Sequence, residues 1–217
     1  MNQLDVYSDV ICPWCYIGKQ HMQNALRLLE PQGLRFAVEW RPFQLNPEMP
    51  PAGVPRDEYR RAKFGSLERS RELDQQVAAA AEAAGITIRH DRMQRTPNTL
   101  DAHRLIRWAG ERGRQDPLVD RLFEAYFVEG RDIGDRAVLA AEAEAAGLDR
   151  AEAASYLAGD DGRAEVQAEG AAVRRAGLSG VPTFVLDRHV LFSGAVPADS
   201  FAEALAKAHR VLAERAA

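Results

Sequence analysis

The chain has 217 residues, 46% of them hydrophobic, with a formal net charge of −4 and two cysteines. That length suits one domain, or a domain carrying a large insertion, with ample core; no stretch approaches the roughly 20 consecutive apolar residues of a membrane span, and no signal peptide is expected. Mixed, mildly acidic charge argues against nucleic acid or an anionic membrane as partner, and two cysteines cannot form a disulfide framework, so a cytoplasmic protein with a special use for its sulfurs is expected.

Leu4-Asp5-Val6-Tyr7-Ser8 alternates as a short strand. Cys12-Pro13-Trp14-Cys15 follows, and from Tyr16 to Glu30 the residues Ile17, Met22, Ala25, Leu26 and Leu29 recur at helical spacing until Pro31. The pair therefore falls where a strand turns into a helix, with Cys12 near the N-cap and Pro13 at the first helical position. A second strand is expected over Leu34 to Trp40.

This placement carries chemistry. Residues i and i+3 on a first helical turn are neighbours, close to the separation a disulfide prefers. Free N–H groups and the helix dipole favour a thiolate at Cys12, predicting an exposed attacking sulfur with a lowered pKa. Cys15, one turn inward, would resolve the mixed disulfide, while Pro13 and Trp14 tune and shield the pair. A closed zinc site would need two further ligands, and the five histidines are scattered, so no metal is expected. Two cysteines that merely pack in a core remain the plainer alternative.

Residues 50–176 read as almost entirely helical. Arg56 to Ala84 forms a helical stretch, charged early and alanine-rich late, whose first part (to Arg71) reads as a solvated face. Thr96-Pro97 is placed to cap a helix bearing Leu100, Leu105, Ile106 and Trp108. Leu118, Leu122, Phe123, Tyr126 and Phe127 stripe another, with Tyr126 and Phe127 read as core. Asp135 and Asp149 are candidate caps for two more, and a last helix runs from about Asp161 to Ala176. Gly180-Val181-Pro182-Thr183-Phe184 then opens a strand, Asp187-Arg188 turns it, and His189 to Gly194 returns as its hairpin partner. Pro197 to Glu214 forms a terminal amphipathic helix. Judged from the residues alone, Pro182 is an ordinary trans proline at a strand start, since only about 5–6% of X–Pro bonds are cis.

These motifs together resemble the DsbA-like thioredoxin-fold oxidoreductases, and within them the cytoplasmic FrnE-like group. The resemblance rests on Ser8-Asp9 leading into Cys12-Pro13-Trp14-Cys15-Tyr16-Ile17-Gly18, on Trp40-Arg41-Pro42-Phe43-Gln44-Leu45-Asn46-Pro47, on Asn98-Thr99 with Ala102-His103-Arg104-Leu105, and on Gly180 to Phe184. It implies an α/β, thioredoxin-like fold with a large all-helical insertion: a discontinuous domain of residues 1–49 and 177–217 around an inserted domain of residues 50–176. It also implies a cis Val181–Pro182 bond beside the dithiol, with Val181 offering its backbone to an extended substrate. Thr183 belongs to the same segment, and Asn98 and His103 are candidate groove residues.

The resulting expectation is a thiol–disulfide oxidoreductase acting on protein or peptide disulfides through Cys12 and Cys15, as a monomer or homodimer. It needs no metal or organic cofactor; glutathione is a candidate redox partner or substrate. Kappa-class glutathione transferases and 2-hydroxychromene-2-carboxylate isomerases share the inserted plan but carry serine at the position of Cys12, making a glutathione-dependent transferase or isomerase the runner-up. A noncatalytic peptide-binding or chaperone module is the third reading.

Overall fold

The computed structural model describes residues 2–216; Met1 and Ala217, at the ends of the expected domain limits, lie outside the described residues. Four strands, β1 (Asn2–Ser8), β2 (Phe36–Pro42), β5 (Thr183–Leu186) and β6 (His189–Ser193), form a sheet in the order β2-β1-β5-β6. β1 runs parallel to β2 and antiparallel to β5, with Val6 opposite both Trp40 and Phe184. The parallel pair needs a crossover, which helix α1 (Pro13–Leu29) and a short 3-10 turn (Glu30–Gln32) supply. The β5–β6 hairpin closes on Asp187 and Arg188, both at positive φ, the geometry of a two-residue hairpin turn.

The alternation along β1 has a use on each face. Leu4 and Val6 are buried with Phe184 beneath α1 and the terminal helix α9 (Ala198–Ala216), where Phe184, Phe192 and Phe201 pack edge-on or tilted. Asp5, on the opposite face, accepts a hydrogen bond from Arg41 Nε at 2.9 Å, and Arg41 also approaches Glu169. That carboxylate belongs to α8 (Arg163–Arg175), which delivers the chain back to the sheet.

Between β2 and β5 the remaining elements are β3 (Val54–Pro55), α2 (Arg56–Phe64), α3 (Leu67–Ala83), β4 (Arg95–Thr96), α4 (Leu100–Gly110), α5 (Gln115–Glu124), a π turn (Ala125–Glu129), α6 (Arg136–Ala145), α7 (Arg150–Ala158) and α8. One contiguous apolar cluster joins this region to the sheet, through residues such as Trp40, Leu105, Phe123 and Phe127. Fully buried Arg104 ties α4 to the α7–α8 turn, donating to the carbonyls of Asp161, Tyr156 and Gly159 and to Asp101.

Three local expectations change. The stretch from Arg56 to Ala84 is two helices: Gly65 at φ +86° stops the first, and Ser66 caps the second by accepting from Arg69 N. The two-residue β3–β4 pair interrupts the helical region. The cap of α4 moves downstream from Thr96-Pro97, because Asn98 Oδ1 accepts the Leu100 N–H at 2.9 Å. Asp135 and Asp149 do cap α6 and α7, each accepting a first-turn N–H.

Candidate active site

The dithiol is held by the passage from β1 into α1. The Asp9 carbonyl accepts the Cys12 N–H at 2.9 Å, turning the chain so that Cys12 sits at the N-cap with extended backbone and Pro13 at the first helical position. The Cys12 carbonyl then accepts the N–H groups of Cys15 and Tyr16 at 3.0 and 3.3 Å. No acidic side chain occupies the first turn, so nothing there opposes a negative sulfur.

Both cysteines are free thiols, and they differ in setting. Cys15 is 1% exposed, and burial pushes its thiol well above the ordinary value. Cys12 beside it adds to that rise, while the Ser8 side chain and the Asp9 backbone N–H work the other way. Cys12 was expected to be exposed and is not: only 5% of it is accessible. Access comes instead through a cavity whose wall it forms.

The distant proline segment closes over this sulfur. Cys12 Sγ lies 3.7 Å from the Val181 carbonyl oxygen, and the Val181–Pro182 peptide is cis. The segment is fastened at both ends. The Pro182 carbonyl accepts the Gly194 N–H at 2.8 Å, and Thr183 Oγ1 donates to the Gly180 carbonyl and meets Ser193 Oγ at 2.6 Å. Beneath it, a Cβ at Gly18 would stand 2.9 Å from Pro182 Cγ, so any larger residue at this turn of α1 would push the proline away.

The cavity measures about 350 Å³. Cys12, Pro13, Trp14, Gly180 and Val181 form one side; Tyr59, Phe64, Val77, Met93 and Tyr126 contribute an apolar and aromatic opposite side. Arg56, Arg60, Lys63 and Asp74 supply charge, and His90 lines the cavity beside them. Arg56 Nη2 bonds Asp74 Oδ2 at 2.7 Å, Arg60 pairs with the same carboxylate, and His90 Nε2 lies 3.6 Å away. One carboxylate thus faces two guanidiniums, with Lys63 close by, leaving the wall opposite Cys12 cationic. Burial lowers the pKa of His90, which favours the neutral ring.

Of the residues singled out from sequence, Cys12, Pro13, Trp14 and Val181 line this cavity, and Trp14 is 42% exposed at its edge. Cys15 and Pro182 stand outside its lining, and Thr183 fastens the β5–β6 hairpin. Asn98 is not a groove residue: its amide donates to the Met49 carbonyl and its oxygen caps α4. His103 is not one either; it is buried beside Asp9, with Nε2 3.4 Å from Asp9 Oδ1. The run from Arg56 to Arg71 is likewise more than a solvated face. Positions 56, 59, 60 and 63 follow one helical side and meet the cavity. That spacing was readable, but the surrounding exposed charges masked it.

A strand, a dithiol at the start of the next helix, and a cis-proline loop from a later hairpin facing it define a thioredoxin-like oxidoreductase fold. The DSBA-like thioredoxin domain matches residues 3–206, and the chain belongs to that family. A probable DsbA oxidoreductase from Streptomyces coelicolor is 34% identical and superposes with a TM-score of 0.86, covering 96% of this chain and 90% of its own. Two more distant structures share the fold alone. The cytosolic disulfide reductase DsbM of Pseudomonas aeruginosa, solved with GSH, has 20% identity and a TM-score of 0.68 over 96% of this chain and 99% of its own. A 2-hydroxychromene-2-carboxylate isomerase has 17% identity and a TM-score of 0.69 over 99% and 98%.

Proposed function

We propose that this protein is a cytoplasmic thiol–disulfide oxidoreductase of the FrnE-like group, acting on protein or peptide disulfides without metal or organic cofactor. The observation that carries the reading is the asymmetric dithiol: Cys12 opens onto the cavity beneath the Val181 carbonyl, and Cys15 is sealed one turn behind it. The isomerase reading requires only one activated thiol, supplied by glutathione, and gives the second sulfur no task. The membership of DsbM, a disulfide reductase solved with GSH, in the same fold supports glutathione or a similar thiol as the partner that resets the pair.

In the reducing direction the Cys12 thiolate attacks one sulfur of a substrate disulfide and expels the other as a thiolate. Cys15 then attacks Cys12, forming the internal disulfide and releasing the second substrate thiol. Two electrons pass to the substrate, and two equivalents of a small thiol restore the dithiol. Oxidation of a substrate dithiol is the reverse sequence; about 30 mV of potential, worth 1.4 kcal/mol, separates comparable preferences.

Turnover of a protein disulfide with Cys12→Ser and Cys15→Ser variants tests the proposal. Cys12→Ser is expected to abolish the reaction, and Cys15→Ser to stall it as a mixed disulfide on Cys12. Full turnover by Cys12→Ser would refute it. Glutathione-dependent isomerisation that survives the loss of Cys15 would install the runner-up.

A further inference from the structure

A sheet ends in edge strands whose outward N–H and C=O groups lack a ladder partner, and the two edges of this sheet are finished differently. β6 is bulged at Leu191, where its register with β5 shifts, and a bulge turns an edge away from further pairing. β2 has no such guard: its seven residues run in unbroken register with β1. In a parallel pair the backbone groups of successive residues point to alternate sides. Trp40 settles which residues point outward. Its N–H donates to Gln115 Oε1 at 2.8 Å and its carbonyl accepts from Gln115 Nε2 at 3.2 Å, so a side-chain amide from α5 pairs with the edge as a neighbouring strand would. Val38 and Phe36, two and four positions earlier, turn the same way, and nothing among the described residues bonds their outward groups.

The free edge has definite ends. Gln115 occupies it at Trp40. At the other end Gly33, at φ +75°, turns the chain, and the Leu34 N–H is tied to the Leu29 carbonyl at 3.3 Å. What remains is Arg35 to Glu39, with Ala37 at its midpoint. A groove of about 690 Å³ runs alongside, from Ala37 to Pro42 and across to Gly110 and Gly113.

We propose that β2 pairs antiparallel with β2 of a second copy of this chain, across a two-fold axis at Ala37, joining the two sheets into one. Phe36 then stands opposite the partner subunit's Val38, an aromatic residue against a β-branched one, and each such pair exchanges both of its N–H···O bonds. The outward groups of Phe36 and Val38 are thereby satisfied on both copies. On the other face Arg35 stands opposite the partner subunit's Glu39, and symmetry repeats the pair. Arg35 is exposed, with only the exposed Glu30 near it at 3.5 Å. Glu39 is already held in place by Gln3 Nε2 at 2.8 Å and Arg41 Nη1 at 3.0 Å. Ala37 alone meets its own copy, and a methyl group suits the spacing of about 4.5 Å between Cα atoms of a non-bonded pair. A second copy is the fitting occupant because the same short segment complements itself in backbone, size and charge. No residue lines both this groove and the dithiol cavity, so the pairing is independent of the chemistry proposed for Cys12.

A single thiol placed on the axis tests the pairing. In a Cys12→Ser/Cys15→Ser background, Ala37→Cys leaves one cysteine per chain, and the two facing Cα atoms fall within reach of a disulfide. Copper-phenanthroline oxidation should cross-link this variant at least about tenfold faster than Arg35→Cys, whose thiol stands about 13 Å along the strand from its own copy. By sedimentation equilibrium the wild type should be dimeric at tens of micromolar. Ala37→Lys sets two ammonium groups together at the axis, and Arg35→Glu sets carboxylates opposite one another; each should raise the dissociation constant by about tenfold or more. If Ala37→Lys loses the wild-type far-UV circular dichroism, Arg35→Glu, at an exposed position, decides the matter. Equal cross-linking of the two cysteine variants would overturn the pairing. So would a monomeric wild type, which leaves the edge to a segment of another protein, or a dimer unchanged by both charge substitutions, which places the association on another face. Loss of disulfide turnover in the wild type would bear on the oxidoreductase reading alone.

Discussion

Gly18→Ala tests whether the packing of Pro182 on α1 sets the position of the Val181 carbonyl over Cys12. The new Cβ would lie 2.9 Å from Pro182 Cγ, 3.6 Å from Phe184 Cζ and 3.7 Å from Ala195 Cα, so only the proline is crowded. Carbon atoms rest at about 3.5–4.0 Å, and Pro182 must therefore retreat by about 0.6 Å or more. Its carbonyl is tied to Gly194 N at 2.8 Å, which steers the displacement into the segment that reaches Cys12. Overpacking costs about 1–3 kcal/mol, and alanine returns about 1 kcal/mol of helix propensity, leaving a net loss of about 0–2 kcal/mol. Activity should suffer more than stability. Misplacement of a reacting geometry by a fraction of an ångström is consistent with a loss of about tenfold in disulfide turnover. Urea denaturation and turnover measured on the same preparation read the two effects apart. Turnover within twofold of wild type, in a variant of wild-type stability, would refute the reasoning.

Three further outcomes follow from other parts of the molecule. Arg104→Met should cost about 3–5 kcal/mol in urea denaturation, because the carbonyls of Asp161, Tyr156 and Gly159 lose a fully buried donor; a loss under about 1 kcal/mol would show that they find other partners. Replacing Arg56 and Arg60 together with glutamine should reduce kcat/KM for an anionic disulfide several-fold more than for a neutral one, a difference that added salt should erode. Equal losses for the two substrates would argue against a cationic wall at the site. The buried Cys15 thiol keeps its proton at pH values where the unfolded chain, titrating near about 8.5, has lost it. The native state then binds more protons, so this contribution is complete below about pH 8.5 and is lost as pH rises toward the folded value. Without oxidant, the urea midpoint of Cys15→Ala should therefore fall less between about pH 8 and 10 than that of the wild type; parallel decline would exclude Cys15 as a source.

What the sequence disclosed depended on whether a residue's role was local. The strand–dithiol–helix passage was legible because each piece acts within a few positions: the alternation through Ser8, Cys12 at the cap, Pro13 behind it. Asp135 and Asp149 were legible for the same reason, since a cap bonds an N–H two or three residues on. The exposure of Cys12 was misjudged because it depends on chain more than a hundred positions away, at Val181, and on the helical insertion. His103 and Asn98 went wrong in a related way: their residue types suit a groove, but burial beside Asp9 and the needs of the α4 cap fix where they stand. The cationic wall was hidden because alternating charge on a helix usually faces water, and only the packing of α2 over the dithiol turns Arg56 and Arg60 inward.

The burial of Cys12 changes where selectivity resides. A sulfur with 5% of its residue exposed cannot be reached by any disulfide that happens to strike the surface; the substrate must enter a space of about 350 Å³. That volume is at the small end for ligand pockets and suits a tripeptide or a single extended segment rather than a folded face. The sheet, α1 and the proline segment hold the sulfur in place, but they furnish only one wall. The other wall is built by α2, α3 and the π turn, through Tyr59, Arg60, Phe64, Val77 and Tyr126. On the proposed chemistry, exchange of the Cys-Pro-Trp-Cys residues would alter potential and rate, whereas exchange of these insertion residues would alter which disulfide arrives. The helical region is therefore part of the cavity wall, and the two long segments that enclose it in sequence form the space around Cys12 only in its company.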